Sequence, residues 1–258
     1  VARAVLRGAS AVAAGGATSC ALVAGRVLCW GRGERGQRGV GRAEGSPEPA
    51  PVVSAEGPLE RVVELALGVS FGCARDAAGT VWCWGDGSEG QLGAFPELGY
   101  RPWAAPVLRG AEALALGPRS ACAREGVAWR CWGANGARQL LPSPARPLQE
   151  PRAAPDFAGA AVLGLGARHS CASREGVLRC RGASRSGALG LGSRRRSRVL
   201  APVPLPGPVG LVALGPDFTC ARLPEGPFCW GAGYASSPQP VPRAAMEGGG
   251  LEAPDAPL

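Results

Sequence analysis

The residues of this 258-residue chain most able to do chemistry are its ten cysteines, which fall in five pairs: Cys20 and Cys29, Cys73 and Cys83, Cys122 and Cys131, Cys171 and Cys180, Cys220 and Cys229. Zinc sites favour close-spaced ligands such as C-x2-C, commonly with histidine. Here eight or nine residues separate the members of each pair, and the chain has one histidine. Redox catalysis fits less well still, and ten buried free thiols serving as small hydrophobes is the plainer alternative. Cross-linking accounts for more. If Ala24 and Gly25 form a two-residue hairpin turn, Cys20 lies directly opposite Cys29 at a non-hydrogen-bonded position, where side chains approach most closely. That geometry accepts a disulfide. Cys73 and Cys83 have one residue more between them, which a three-residue turn at Ala77, Ala78 and Gly79 absorbs through a bulge. Five disulfides of this kind imply an oxidising compartment: secreted, periplasmic or cell-surface.

The elements that would hold these pairs repeat with them. The first cysteines are spaced 53, 49, 49 and 49 residues apart. A glycine stands five residues before each (Gly15, Gly68, Gly117, Gly166, Gly215) and another two residues after each second cysteine (Gly31, Gly85, Gly133, Gly182, Gly231). Trp follows the second cysteine in four units, as Trp30, Trp84, Trp132 and Trp230, whereas the fourth unit has Arg181. Within the second unit RVVELALG, FGCARD and TVWCWG read as strands, and proline-flanked pieces such as PAPVV (49–53), AAPVLRG (104–110) and APVPLPG (201–207) read as a fourth. Four strands in about 49 residues is the size of a β-propeller blade. In TVWCWG both the Cys83 face and the Trp82 and Trp84 face are apolar, as expected of strands covered on both sides. The fold expected is all-β, a β-propeller of four-stranded blades with five repeats visible. It is read as a five-bladed ring or part of a seven-bladed one.

Composition bounds the rest. At 46% hydrophobic residues with seven Trp the chain is too apolar for disorder, and no run of 18 apolar residues offers a membrane-spanning helix. The single histidine rules out histidine pairs and histidine metal cages. All 28 basic residues are arginine and isoleucine is absent, the mark of a GC-rich genome, so the formal charge of +8 is a weak guide to partners. A five-repeat propeller is assigned to 1–236, in units of about 4–50, 51–103, 104–154, 155–204 and 205–236. Residues 237–258 are taken as a Pro/Gly-rich acidic tail or the remnant of a sixth repeat. The chain starts at Val1 without Met, so it is read as a mature or excised segment.

The units resemble the regulator of chromosome condensation (RCC1-like) repeat: an aliphatic strand, G-x-x-H-S/T-x-A, a turn with Gly, a strand ending W-G, then a G-Q-L-G stretch. VWCWGDGSEGQLG (81–93) matches most fully. GALGLG (187–192), GQRGVG (36–41) and RQLL (138–141) hold the last motif in weaker form, and the fifth unit has lost it. Residues 4–231 carry the resemblance. It implies the propeller fold, and the C-A and C-W-G cysteines look most like secreted bacterial members. Family propellers usually have seven blades, two more than the units counted here. Functions in the family range from nucleotide exchange to β-lactamase inhibition and receptor ectodomains.

Several residues compete as sites. His169 occupies the slot that Thr18, Phe71, Ser120 and Phe218 fill in the sister units, and a slot that accepts Phe is structural. Asp76, Glu125, Glu175 and Glu225 recur one per unit near the hairpin turns, where turn preference explains them better than a glycosidase pair or a calcium ring does. The arginine-dense stretch 184–198, including Arg194, Arg195 and Arg196, has no interleaved aromatics and reads first as a solvated loop. Arg181 must find a carboxylate, a carbonyl or water. Binding residues are expected in the loops after each C-W-G (32–50, 86–103, 134–155, 183–198, 232–240), with Tyr100, Trp103, Arg138, Arg194, Arg195, Arg196 and Tyr234 as candidates. The function expected is a non-catalytic extracellular or cell-surface protein-binding scaffold, monomeric, with no cofactor, no metal and no nucleic acid. The alternatives are an inhibitor of a secreted or periplasmic enzyme, or a carbohydrate-active propeller, for which Asp86 and Glu89 would be the acids to test.

Overall fold

A computed structural model describes residues 6–94 and 96–241. Its strands form five four-stranded antiparallel meanders. The first holds β1 (Ala9–Gly15), β2 (Thr18–Val23), β3 (Arg26–Gly31) and β4 (Ser46–Pro51). A small ribbon, β5 (Val53–Ser54) with β6 (Gly57–Pro58), leads to the second sheet: β7 (Val62–Leu67), β8 (Phe71–Asp76), β9 (Val81–Asp86) and β10 (Tyr100–Leu108). The third holds β11 (Ala113–Leu116), β12 (Ser120–Glu125), β13 (Ala128–Gly133) and β14 (Leu148–Ala153). The fourth holds β15 (Val162–Leu165), β16 (His169–Arg174), β17 (Val177–Gly182) and β18 (Ser197–Pro202). The fifth holds β19 (Leu211–Leu214), β20 (Phe218–Leu223), β21 (Gly226–Gly231) and β22 (Gln239–Pro240). These are the expected propeller blades. The fourth strands begin earlier than the proline-flanked pieces suggested, at Ser46, Tyr100 and Ser197, because pairing starts opposite the last residue of the third strand, at Gly31, Asp86 and Gly182. Gln239–Pro240, inside the stretch read as tail or sixth-repeat remnant, pairs with β21 as the outer strand of the fifth blade, and residues 242–258 lie outside the described residues.

The central hairpin of each blade follows from its turn. Ala24 and Gly25 (φ 48° and 76°), and likewise Glu175 and Gly176 (φ 53° and 78°), take the two left-handed positions of a type I′ turn, which sets Val23 opposite Arg26 and Arg174 opposite Val177. From that register Cys20 faces Cys29 and Cys171 faces Cys180. The Asp76 turn differs. The Asp76 Oδ1 accepts the N–H groups of Ala78 and Thr80, both at 2.9 Å, and Oδ2 accepts the Trp82 indole N–H at 2.9 Å. Partial burial opposes ionisation of this carboxyl, but those donors outweigh it and hold its pKa below the usual carboxylate range. All five pairs are disulfides, with Cα atoms 4.1–4.2 Å apart. Each closes a ten- or eleven-residue loop, a constraint worth roughly 2.5–3 kcal/mol in the chain-entropy model.

The chain divides into two compact units: the residues up to Gly136 with Ser143–Gly159, and Ala137–Pro142 with Ala160 onward. Inside the first unit, Trp84 packs with Cys20, Val27, Cys29 and Val52, and a second cluster gathers Phe71, Cys73, Cys83, Leu92 and Trp132. Inside the second unit, Cys171, Leu178, Leu189, Val203, Val212 and Trp230 do the same. Nine of the ten cysteines are fully or almost fully buried, so the first four cross-links belong to the core, while in the fifth Cys229 is buried and Cys220 is half-buried. The spacing G-x-x-[ring] also has a packing reason. A Cβ on Gly68 would lie 2.0 Å from the Phe71 ring, and one on Gly215 would lie 2.0 Å from Phe218. Only glycine leaves room for the ring three residues on.

Candidate functional site

In every blade the hairpin turn is at one end of the sheet and the loop joining the third and fourth strands leaves from the other. In the first four blades those loops are built on the G-Q-x-G slots. The carbonyl of the second residue in each motif accepts a hydrogen bond from the residue after the second cysteine of the following blade. Trp84 Nε1 donates to Gln37 O at 3.0 Å, Trp132 Nε1 to Gln91 O at 3.0 Å and Trp230 Nε1 to Ala188 O at 2.9 Å. Arg181, fully buried in the Trp slot, donates from Nε to Gln139 O at 3.1 Å and from Nη2 to Leu140 O. Backbone carbonyls are therefore partners of this guanidinium, which stands in for an indole N–H.

The glycines of the motif answer the same indoles. A Cβ on Gly39 would sit 2.7 Å from Trp84 Cδ1, and one on Gly190 would sit 2.7 Å from Trp230 Nε1. In the third unit this slot is Leu141, and there the partner is Arg181 instead of Trp. Two departures from the repeat thus occur together at one contact. Arg138 holds the left-handed conformation (φ 59°) that Gly36, Gly90 and Gly187 hold in the sister motifs. Arg38 fills the slot of Leu92, Leu140 and Leu189. It is buried, donates to Glu44 O at 3.2 Å and Glu48 O at 3.3 Å, and burial lowers its pKa.

His169 is 1% exposed. Its Nε2 lies 2.9 Å from Thr219 Oγ1, and that hydroxyl donates to Ala188 O at 2.9 Å, so Nε2 carries the proton that Thr219 accepts. Desolvation lowers the imidazole pKa to about 4, against the weaker opposing pull of Asp217. The ring is a neutral structural group. Asp86 accepts the Ser88 N–H at 3.1 Å and Glu89 pairs with Arg119 at 3.1 Å, which places both in turn and ion-pair roles. Glu125 pairs with Arg130 at 2.7 Å. Among the described residues no group of three or more His, Cys, Asp or Glu is placed to hold a metal ion.

The candidate binding residues are distributed as follows. Tyr100 and Trp103 sit on strand β10 and not in the loop before it, because β10 begins at Tyr100. Trp103 remains 43% exposed and bridges Val40 of the first blade's loop, where the Gly41 N–H donates to Pro102 O at 2.7 Å. Arg194, Arg195 and Arg196 are exposed. Tyr234 is 46% exposed, with its ring 6.5 Å from that of Phe218. The loop holding the arginines reaches the Tyr234 loop through a hydrogen bond from Gly192 N to Ser236 O at 3.1 Å. Charge itself is placed unevenly, which composition concealed. Among the described residues the first unit has fifteen arginines against fourteen carboxylates, and the second has eleven against Glu175, Asp217 and Glu225. Among the described residues, the pairs Arg26–Glu60, Arg32–Glu34, Arg42–Glu44, Arg75–Glu64, Arg119–Glu89, Arg124–Glu112 and Arg130–Glu125 lie in the first unit and Arg174–Glu175 in the second.

Comparison with known proteins agrees with this repeat. Regulator of chromosome condensation (RCC1) repeat models match residues 24–75 and 62–91. The Arabidopsis thaliana ultraviolet-B receptor UVR8 is 38% identical over 84 residues, 32% of this chain and 19% of that protein. Human WBSCR16 superposes with a TM-score of 0.78 at 19% identity, covering 90% of this chain and 66% of that one. Prp20p of Saccharomyces cerevisiae gives 0.78 at 20% identity, covering 92% and 64%. The chain therefore spans about a fifth of UVR8 and just under two thirds of these two structures. The likeness to solved structures is one of fold.

Proposed function

Residues 24–91 match RCC1 repeat models, and on that premise we propose that the chain is an RCC1-like protein-binding scaffold of an oxidising, extracytoplasmic compartment, with the loops between third and fourth strands as its contact surface. The observation that carries this reading is the contrast between a fixed frame and variable loops. Cysteines, glycines and the indole-to-carbonyl bond recur from blade to blade, while the loops keep only the motif that anchors them. Exposed loops on a rigid frame are where recognition residues concentrate. Yeast Prp20p binds Gsp1p and histones, and it has been crystallised bound to Kap60. Protein binding is thus a use to which this frame is put. Five disulfides support the compartment, since reducing cytosol does not keep such bonds.

The test is site-specific photo-crosslinking in the source organism, with the probe at Tyr234 or Arg138 and, for comparison, at Val127, which is exposed at the hairpin-turn end. A discrete protein adduct from the loop positions, absent from Val127, is the expected result. Equal adducts from Val127, or none from either loop position, overturns the reading.

A further inference from the structure

We propose that the fourth blade's loop, residues 183–198, is a binding site for a linear acidic polysaccharide, sulfated or uronic. The second unit carries eight more arginines than carboxylates among its described residues, and the first unit only one more. That excess is concentrated here. Arg185, Arg194, Arg195, Arg196 and Arg198 are all on the loop or the strand it enters, and the loop contains no acid. Among the described residues none of the five has an ion-pair partner. In the corresponding loops of the first unit, by contrast, Arg32 pairs with Glu34, Arg42 with Glu44, and Glu89 is held by Arg119 of the next blade. The basic loop is also held in place. Gly182 faces Ser197 across β17 and β18, Ser184 Oγ donates to Ser193 O at 3.3 Å, and Ser186 Oγ donates to Asp217 O at 3.0 Å.

The chemistry of this surface selects among anions. Its apolar residues Ala188 and Leu189 are buried and Leu191 is half-buried against the second unit's core, so the exposed face is chiefly guanidinium, Ser and Gly, with Val199 exposed on the strand that follows. Protein interfaces draw their affinity from a desolvated centre of aromatic and aliphatic side chains, which is missing here. A hydrated, evenly charged polymer needs no such centre: it binds through fork-like guanidinium bonds and counterion release. Single-stranded nucleic acid would want successive aromatic platforms, and Tyr234 is the one exposed aromatic ring beside the loop among the described residues. The choice of glycan over duplex nucleic acid rests on the oxidising-compartment reading above.

The experiment uses the full, disulfide-intact chain and heparin-derived octasaccharide, with a polyuronate, duplex DNA and polyglutamate of matched charge as competitors. Binding at 0.15 M NaCl is expected, falling at least tenfold when Arg194→Ser, Arg195→Ser and Arg196→Ser are combined. The slope of log Kd against log salt should drop by roughly two to three, as three fewer phosphate-like contacts would give. The control Arg26→Ser with Arg42→Ser removes arginines already paired with Glu60 and Glu44 and should change affinity less than twofold. Unchanged binding by the triple variant overturns the proposal, as does DNA or polyglutamate binding as tightly as both glycans. Circular dichroism of the triple variant excludes misfolding as the cause of a loss. Cysteine oxidation state is measured separately, so a failed glycan assay with intact disulfides removes this site and leaves the scaffold reading standing.

Discussion

His169 shows how one buried residue writes itself into stability. Its folded pKa is about 4, against about 6.5 for an unhindered imidazole. Between those values the unfolded chain binds a proton that the folded chain refuses, so stability is greatest above pH 6.5 and is lost as pH falls toward 4. The loss amounts to about 3 kcal/mol if the full shift is expressed. Phe fills the same slot at Phe71 and Phe218, where the glycine three residues earlier makes room for the ring. His169→Phe should therefore fold and show a flatter stability profile between pH 6.5 and 4 in urea melts. An unchanged slope would place the pH sensitivity elsewhere. That His169 was structural could be read from its sister positions. Its partner could not, because Thr219 lies fifty residues away and is brought near only by the stacking of the fourth and fifth blades in the second unit.

At the scale of elements, one contact recurs between blades at Trp84, Trp132 and Trp230: an indole lying on a glycine and donating to the carbonyl two residues before it. Where Trp becomes Arg181, the glycine becomes Leu141. Arg181→Trp alone should force an indole against that side chain and cost about 2–3 kcal/mol, the scale of an overpacked core. Adding Leu141→Gly should recover at least about 1 kcal/mol of it as a favourable coupling. Denaturation of the two single variants and the double, with disulfides intact, measures the cycle, and strictly additive effects would mean the two positions are not one joint. The strands, the hairpin register and the cysteine pairs were legible because local turn chemistry and a period of two set them. The partner of Arg181 was not, since a carbonyl acceptor leaves no side-chain signature. Likewise Tyr100 and Trp103 lie on a strand because cross-strand pairing extends the sheet through Arg101 and Pro102, residues that read as loop by local preference.

For the molecule as a whole, length and repeat number were accessible to counting, but the placement of charge was not. A formal charge of +8 spread over 258 residues looks like genomic bias. Among the described residues, however, the first compact unit is nearly neutral, with fifteen arginines against fourteen carboxylates, and the second is strongly basic, with eleven against three, a difference that comes from missing carboxylates more than from added arginines. Fields of one sign steer partners of the other. The frame that presents them depends on all five hairpins being cross-linked, and this is the claim on which compartment and function both stand. It is tested most directly by isolating the protein from its source under alkylation, without reductant, and mapping its cysteines by peptide mass spectrometry. The account predicts no alkylated cysteine and five bridges: Cys20 to Cys29, Cys73 to Cys83, Cys122 to Cys131, Cys171 to Cys180 and Cys220 to Cys229. Several alkylated cysteines in the protein as it exists in the cell would contradict it.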